Sequence, residues 1–112
     1  MREIKFRVKK KDKETDEISK EWTYYTLGDF ASKGVGDYFD GETWSQFTGL
    51  LDKNGKEIYE GDIVKGTWGI SQIIFFHGCW CYLGGGATSR IYTSCKKTEI
   101  IGNIYENPNL LT

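Results

Sequence analysis

Few places in this chain could carry chemistry. The first is His77, Cys79 and Cys81, which share one parity, with Cys95 as a further thiol. Imidazole and thiolate are zinc ligands, and a structural zinc takes four at about 2.0 to 2.3 Å. Side chains two apart on a flat strand stand ~6 to 7 Å from each other, too far to converge on one ion without a bend. There is also no Cys-x-x-Cys knuckle. These residues therefore read as packed thiols beside a surface histidine, with no metal expected. A cysteine nucleophile needs an adjacent base, and His77 is the only histidine. Nothing else in the sequence marks a Cys–His pair.

Asp52, Glu57, Glu60 and Asp62 are a second concentration of reactive groups. Acid–base work needs carboxylates in a water-poor cleft, with pKa values pushed apart. These four flank turn residues, where carboxylates solvate the chain and accept local N–H bonds, so they read as turn chemistry. Gly84-Gly85-Gly86-Ala87-Thr88-Ser89 could cradle an anion on its backbone N–H groups. It lacks the Gly-Lys-Ser/Thr ending of a phosphate loop and opens no helix, so it reads as a flexible loop. No catalytic residue and no cofactor is expected.

Aromatic residues remain. They make up 15% of the chain. Trp44, Phe47, Trp68, Trp80, Tyr82 and Tyr92 exceed what a small core must hold. Trp80 and Phe47 are expected inside. Trp44, Trp68, Tyr82 and Tyr92, with Arg90, are the candidates for an exposed binding surface.

The elements that must position these residues are organised around Phe47 to Lys65, FTGLLDKNGKEIYEGDIVK. Asn54-Gly55 tolerates the positive φ of a type I′ or a G1-bulge turn. Leu50 and Leu51 on one arm and Ile58 and Tyr59 on the other then pair antiparallel. Gly61-Asp62 makes a second turn that launches Ile63-Val64, with Asp62 free to accept local N–H bonds. Upstream, Ile4, Phe6 and Val8 alternate with Lys5, Arg7 and Lys9, which predicts a half-buried strand with its apolar face on the even positions. Lys9 to Glu17 is a mixed-charge run that reads as a solvated hairpin tip. Ile18 to Leu27 is the returning strand. A short helix is expected around Asp29 to Lys33, with Asp29 as N-cap. Thr43 to Leu51 leads into the central hairpin.

Downstream, Lys65 to Gly69 is a turn. Ile70 to Phe76 is apolar on both parities, which predicts a strand covered on both faces. His77-Gly78 is a tight connection into Cys79–Leu83. Arg90–Ser94 and Glu99–Tyr105 complete the sheet, and Pro108 starts a tail. Five strands at this spacing from Ile58 onward predict a small SH3-like barrel. The expectation is an all-β, antiparallel single domain over residues 1–112: an N-terminal β segment (1–46) packed on a barrel-like core (47–106), with a tail (107–112).

The same stretches carry a resemblance. FTGLLDKNGKEIYEGDIVK resembles the signature segment of the YopX family. Met1 to Val8, MREIKFRV, and Ile101 to Leu111, IGNIYENPNLL, resemble that family's opening and closing segments. Residues 15–43 and 66–98 match no pattern of it. The resemblance implies a β-rich fold and a bacteriophage or prophage origin. It implies no activity and no catalytic residues.

Composition bounds the rest. The net charge is −1, short of the basic excess typical of general phosphate-backbone binders. No apolar run approaches the ~20 residues that span a bilayer. Met1-Arg2-Glu3 opens directly on a charged alternating segment, so no signal peptide is expected, and the protein is placed in the cytoplasm of a bacterial host cell. Three cysteines, an odd number, fit reduced thiols. The functional expectation is a non-enzymatic accessory protein that binds a protein partner, itself included as a homo-oligomer. The alternative is single-stranded nucleic-acid binding, with Trp68 and Tyr82 stacking bases beside Lys65, Arg90, Lys96 and Lys97.

Overall fold

The structure, a computed structural model, describes residues 4–11, 14–15, 17–26, 28–29, 43–91 and 94–111. Among these, the strands are β1 (Lys5–Lys11), β2 (Ile18–Thr26), β3 (Ser45–Leu51), β4 (Glu57–Tyr59), β5 (Asp62–Gly66), β6 (Gly69–Phe76), β7 (Cys79–Gly84), β8 (Ala87–Arg90) and β9 (Glu99–Asn103). Two 3-10 turns follow, η1 (Ser94–Lys97) and η2 (Pro108–Leu111). The fold is all-β and its registered pairs are antiparallel. The chain divides into two compact units, residues 1–47 and 48–112.

In the first unit β1 is the middle strand. It pairs with β2 from Lys5↔Thr26 to Lys11↔Ile18, with an irregularity between Lys9 and Lys11. On its other side Phe6 and Arg7 pair with Gln46 and Ser45 of β3. Val8 is buried as the alternation predicts and Phe47 as expected of a core aromatic, but Ile4 is 44% exposed and Phe6 only half-buried. The basic face is not solvated, however. Arg7 and Lys9 are 7% and 4% exposed. Trp22 covers them: the Arg7 guanidinium carbon lies 4.1 Å and the Lys9 ammonium 5.0 Å from its ring. Cation–π attraction and the long alkyl stems let two bases occupy a face that alternation assigns to water. Lys9 Nζ also donates to the Lys20 carbonyl at 3.4 Å. At the end of β2, Asp29 N–H donates to Thr26 Oγ1 while Asp29 Oδ2 accepts from Thr26 N–H at 2.8 Å. This is a reciprocal capping box, so Thr26 is the cap and Asp29 its third-position partner, not the cap itself. The expected helix beyond Asp29 lies outside the described residues.

In the second unit the strand order is β8-β7-β6-β5-β9. β5 to β8 are successive hairpins, and β9 returns to the far side of β5. β8 and β9 end the sheet without pairing with each other, so the expected barrel is a half-barrel in its hydrogen bonding. Its core is Ile58, Val64, Ile73, Trp80, Tyr82 and Cys95, with Leu50, Ile91 and Ile100 against it. Ile63 and Val64 are fully buried, as the launch from Gly61-Asp62 requires. Each aliphatic side chain so buried stabilises the fold by about 1.5–3 kcal/mol.

Three expectations change in this unit. The glycine run is no flexible loop. Gly84 belongs to β7, and Gly85 and Gly86, at φ of 60° and 79°, make a two-residue turn that pairs Gly84 with Ala87. Positive φ at both central residues is the primed turn that matches strand twist. β6 is not covered on both faces: Ile70, Phe75 and Phe76 are 39%, 53% and 42% exposed. Finally, β8 ends at Arg90 and the chain turns into η1, where Thr98 Oγ1 donates to the Cys95 carbonyl at 2.7 Å. The expected tail begins at Pro108 as the short η2, which packs on β6.

Candidate binding cleft

The site is built from a tryptophan that the turn chemistry holds still. Gly66 pairs with Gly69, which leaves Thr67 and Trp68 as the two-residue turn between β5 and β6. The Trp68 indole folds back over Gly66, where a Cβ would come within 2.7 to 2.9 Å of the ring. The indole N–H donates to Ser71 Oγ at 3.2 Å. The ring meets Tyr82 edge-on, with centroids 5.0 Å apart and planes at 60°. Its remaining surface, 49% of the residue, faces solvent. An aromatic side chain fixed in this way loses little conformational freedom when a partner covers it.

Tyr82 comes from β7 and is 5% exposed. Its hydroxyl shares a hydrogen bond with Ser94 Oγ at 3.1 Å, which ties β7 to η1. Burial raises the phenol above its ordinary value of 10.0; the Ser94 bond works the other way, and Cys95 adds to the rise. Between Trp68 and Tyr82 on one side and Ala87 and Ser89 of β8 on the other lies a cleft of about 290 Å³. Gly84 keeps its floor low, because a Cβ there would stand 2.9 Å from the Ile70 carbonyl oxygen and from Ser71 Oγ. Ser71, Ser89 and Ser94 supply hydroxyls along the wall. The lining is therefore aromatic and neutral, with Arg90 the one charged residue among the described ones. Arg90 also pairs with Cys81 in register, and its charge is felt at the Cys81 thiol, so it faces partly away from the cleft.

Three of the five expected surface residues, Trp68, Tyr82 and Arg90, thus meet at one place. Tyr82 contributes a buried edge and a hydroxyl in place of an exposed stacking face. Trp44 belongs to the first unit, where it is half-buried and 6.0 Å from Tyr25 between ring centroids. Tyr92 lies outside the described residues. The serine hydroxyls and the two glycines under the cleft are site features that spacing did not reveal. Gly66-Thr67-Trp68-Gly69, a tryptophan set between glycines, is the signal that could have found them.

The turn residues have structural work. Gly55, at φ 78°, follows a turn in which its N–H donates to the Asp52 carbonyl at 3.0 Å. Asn54 is not in the left-handed region, so this is the G1-bulge form of the expected turn. Asp52, 4% exposed, accepts from Asn54 and Lys56 N–H on Oδ1 at 2.8 and 2.9 Å, and from Ile100 N–H on Oδ2 at 3.1 Å. Asp62 Oδ2 accepts from Tyr59 N–H at 2.7 Å. Gly61, at φ 87°, donates to the Ile73 carbonyl and accepts from Ile104 N–H, both at 2.9 Å. Asn103 caps the turn after β9, its Oδ1 accepting from Tyr105 and Glu106 N–H at 3.0 and 2.9 Å.

The cysteines are free thiols, Cys81 and Cys95 buried and Cys79 partly so. Cys79 and Cys81 Sγ stand 3.9 Å apart, closer than strand spacing predicts. The spacing rule measures where side chains leave the backbone, and the sulfurs lie further out, where leaning along the strand closes the gap. Among the described residues no three of His, Cys, Asp and Glu gather around a common point. No helix of the described residues is long and apolar enough to cross a membrane.

No curated protein matches the chain. It is similar to the crystal structure of protein EF1440 from Enterococcus faecalis, at 28% identity over 95% of this chain and 75% of that one, with a TM-score of 0.49. The family model described as YopX protein matches residues 2–112, nearly the full length. The chain belongs to the YopX family.

Proposed function

We propose that this protein is a non-catalytic accessory protein of a bacteriophage or prophage, and that it works by receiving an extended segment of a protein partner in the Trp68–Tyr82 cleft. The phage setting rests on the resemblance alone. The binding mode rests on one observation: the cleft opens beside β8, the strand that ends its sheet and whose four residues are all exposed. A strand at a sheet edge offers main-chain groups to an added strand, and a pocket beside it takes an alternate side chain. Trp68 is the anchor such a pocket needs: half-exposed and held in place. The conspicuous buried carboxylates, Asp52 and Asp62, are engaged by backbone N–H groups, which suits a scaffold role better than acid–base work.

Binding of single-stranded nucleic acid is the weaker reading. Its two stacking rings are reduced to one exposed face, and Lys65, Lys96 and Lys97 are not among the residues that line the cleft. Pull-downs from a bacterial host with wild type and Trp68→Ala test the proposal. The expected outcome is a partner retained by wild type and lost by the variant. Identical sets of retained proteins would overturn it. Quenching of tryptophan fluorescence by an oligonucleotide, reversed by salt, would favour the alternative.

A further inference from the structure

Cys79 and Cys81 lie on the face of β7 away from the core, with Phe76 and Ile74 of β6 opposite them and Arg90 of β8 opposite Cys81. Their sulfurs are 3.9 Å apart. Two thiolates at about 2.3 Å from one ion stand about 3.8 Å apart at the tetrahedral angle and about 4.6 Å apart in the linear arrangement of a two-ligand ion, so the pair stands within about 0.7 Å of the separation that a shared metal requires. Cys79 Sγ donates to the Phe76 carbonyl at 3.3 Å and Cys81 Sγ to the Cys79 carbonyl at 3.7 Å, sulfur hydrogen bonds that metal binding gives up. The site is reachable through Cys79, which is only partly buried.

From this geometry we infer that Cys79 and Cys81 form a two-thiolate site for a soft, thiophilic metal ion of the Cu(I) class. Softness follows from the donors: two sulfurs select ions that accept few, polarizable ligands, whereas zinc wants four. No third or fourth protein ligand gathers there among the described residues. Binding displaces both thiol protons to solvent, so a singly charged cation and two thiolates leave one net negative charge at the site. Arg90, in register with Cys81, carries the charge that balances it.

The test is a titration of the reduced full-length protein with Cu(I) against a chromophoric Cu(I) chelator, without oxygen. Wild type and Cys95→Ser are expected to withdraw one ion per chain from the chelator. Cys79→Ser, at a partly exposed position that leaves the core intact, and Cys81→Ser are each expected to lose that capacity while keeping the wild-type circular dichroism spectrum. A wild type that withdraws no copper would overturn the assignment. So would undiminished binding by Cys79→Ser, or a stoichiometry of one ion per two chains.

Discussion

Replacing Asp52 asks how much of the second unit hangs on one carboxylate. Its two oxygens accept three backbone N–H bonds: two from the hairpin tip at Asn54 and Lys56, and one from Ile100 in β9. A hydrogen bond to a charged acceptor contributes about 1.5–3 kcal/mol. The tip donors belong to exposed residues, so water replaces the carboxylate there and each loss shrinks to roughly 0.5–1 kcal/mol. Ile100 is half-buried, and an orphaned donor costs about 1–3 kcal/mol. Removing the carboxylate also spares the desolvation of a charge, which favours the lower half of these ranges. Asp52→Ala should therefore cost about 3 kcal/mol. Asp52→Asn keeps an acceptor for the tip but turns an NH₂ toward Ile100, for a loss of about 2 kcal/mol. Urea unfolding followed by tryptophan fluorescence measures both. At about 4 °C per kcal/mol the melting temperatures should fall by roughly 12 and 8 °C. Amide exchange at Ile100 should speed up about a hundredfold in the alanine variant, since each 1.36 kcal/mol is tenfold. If Asp52→Ala lost less than about 1 kcal/mol, the idea that this side chain pins the hairpin tip to β9 would be refuted.

Two further outcomes follow from single residues. A Cβ at Gly55 meets no atom within 4 Å, so its cost is the φ of 78° alone: Gly55→Val should lose about 2 kcal/mol and Gly55→Asn under about 1 kcal/mol in thermal melts, and equal losses would refute a purely conformational cost. For Tyr82 the folded state holds the phenolic proton more tightly than the ordinary value of 10.0, so its contribution is fully present below about pH 10 and is lost as pH climbs through the raised folded value; the stability difference between wild type and Tyr82→Phe should hold up to about pH 10 and narrow above it, and a constant difference would contradict the assigned burial.

What could be read from the sequence depended on whether the cause was local. Asn54-Gly55 and Gly61-Asp62 were legible because backbone conformation at those points is set by the residues themselves. The choice between two turn forms was not legible, since Asp52 decides it by accepting from both Asn54 and Lys56. The tight turn at Gly85-Gly86 looked like slack because three glycines carry no side-chain pattern; the reason for Gly84 is the Ile70 carbonyl, on a neighbouring strand. The buried Arg7 and Lys9 contradict alternation because Trp22, on the pairing strand, lies over them. The apolar residues of β6 suggested cover on both faces, but Phe75 and Phe76 stay half-exposed at its end. At the cleft, surplus aromatics gave Trp68 and Tyr82 as candidates. Their meeting depends on where the turn at Trp68 folds back over the sheet, which no spacing encodes.

The segments that carry the family resemblance and the segment that builds the cleft are different stretches of chain. Asp52 in the central run reaches Ile100, and Gly61 in the same run accepts from Ile104 in the closing one. A Cβ on Gly61 would stand 3.3 Å from the Tyr105 ring and 3.4 Å from Ile104. Residues of two of the resembling segments thus clasp β9 and the turn after it to the central hairpins. Trp68, Tyr82, Arg90 and the serines around them come from residues 66–98, outside the segments that read as family-like in the sequence though inside the 2–112 that the family model matches. These clasp contacts hold the half-barrel together without drawing on the cleft wall. The clasp accounts for the half-barrel, and the proposed docking site at Trp68 and the edge of β8 is built from other residues.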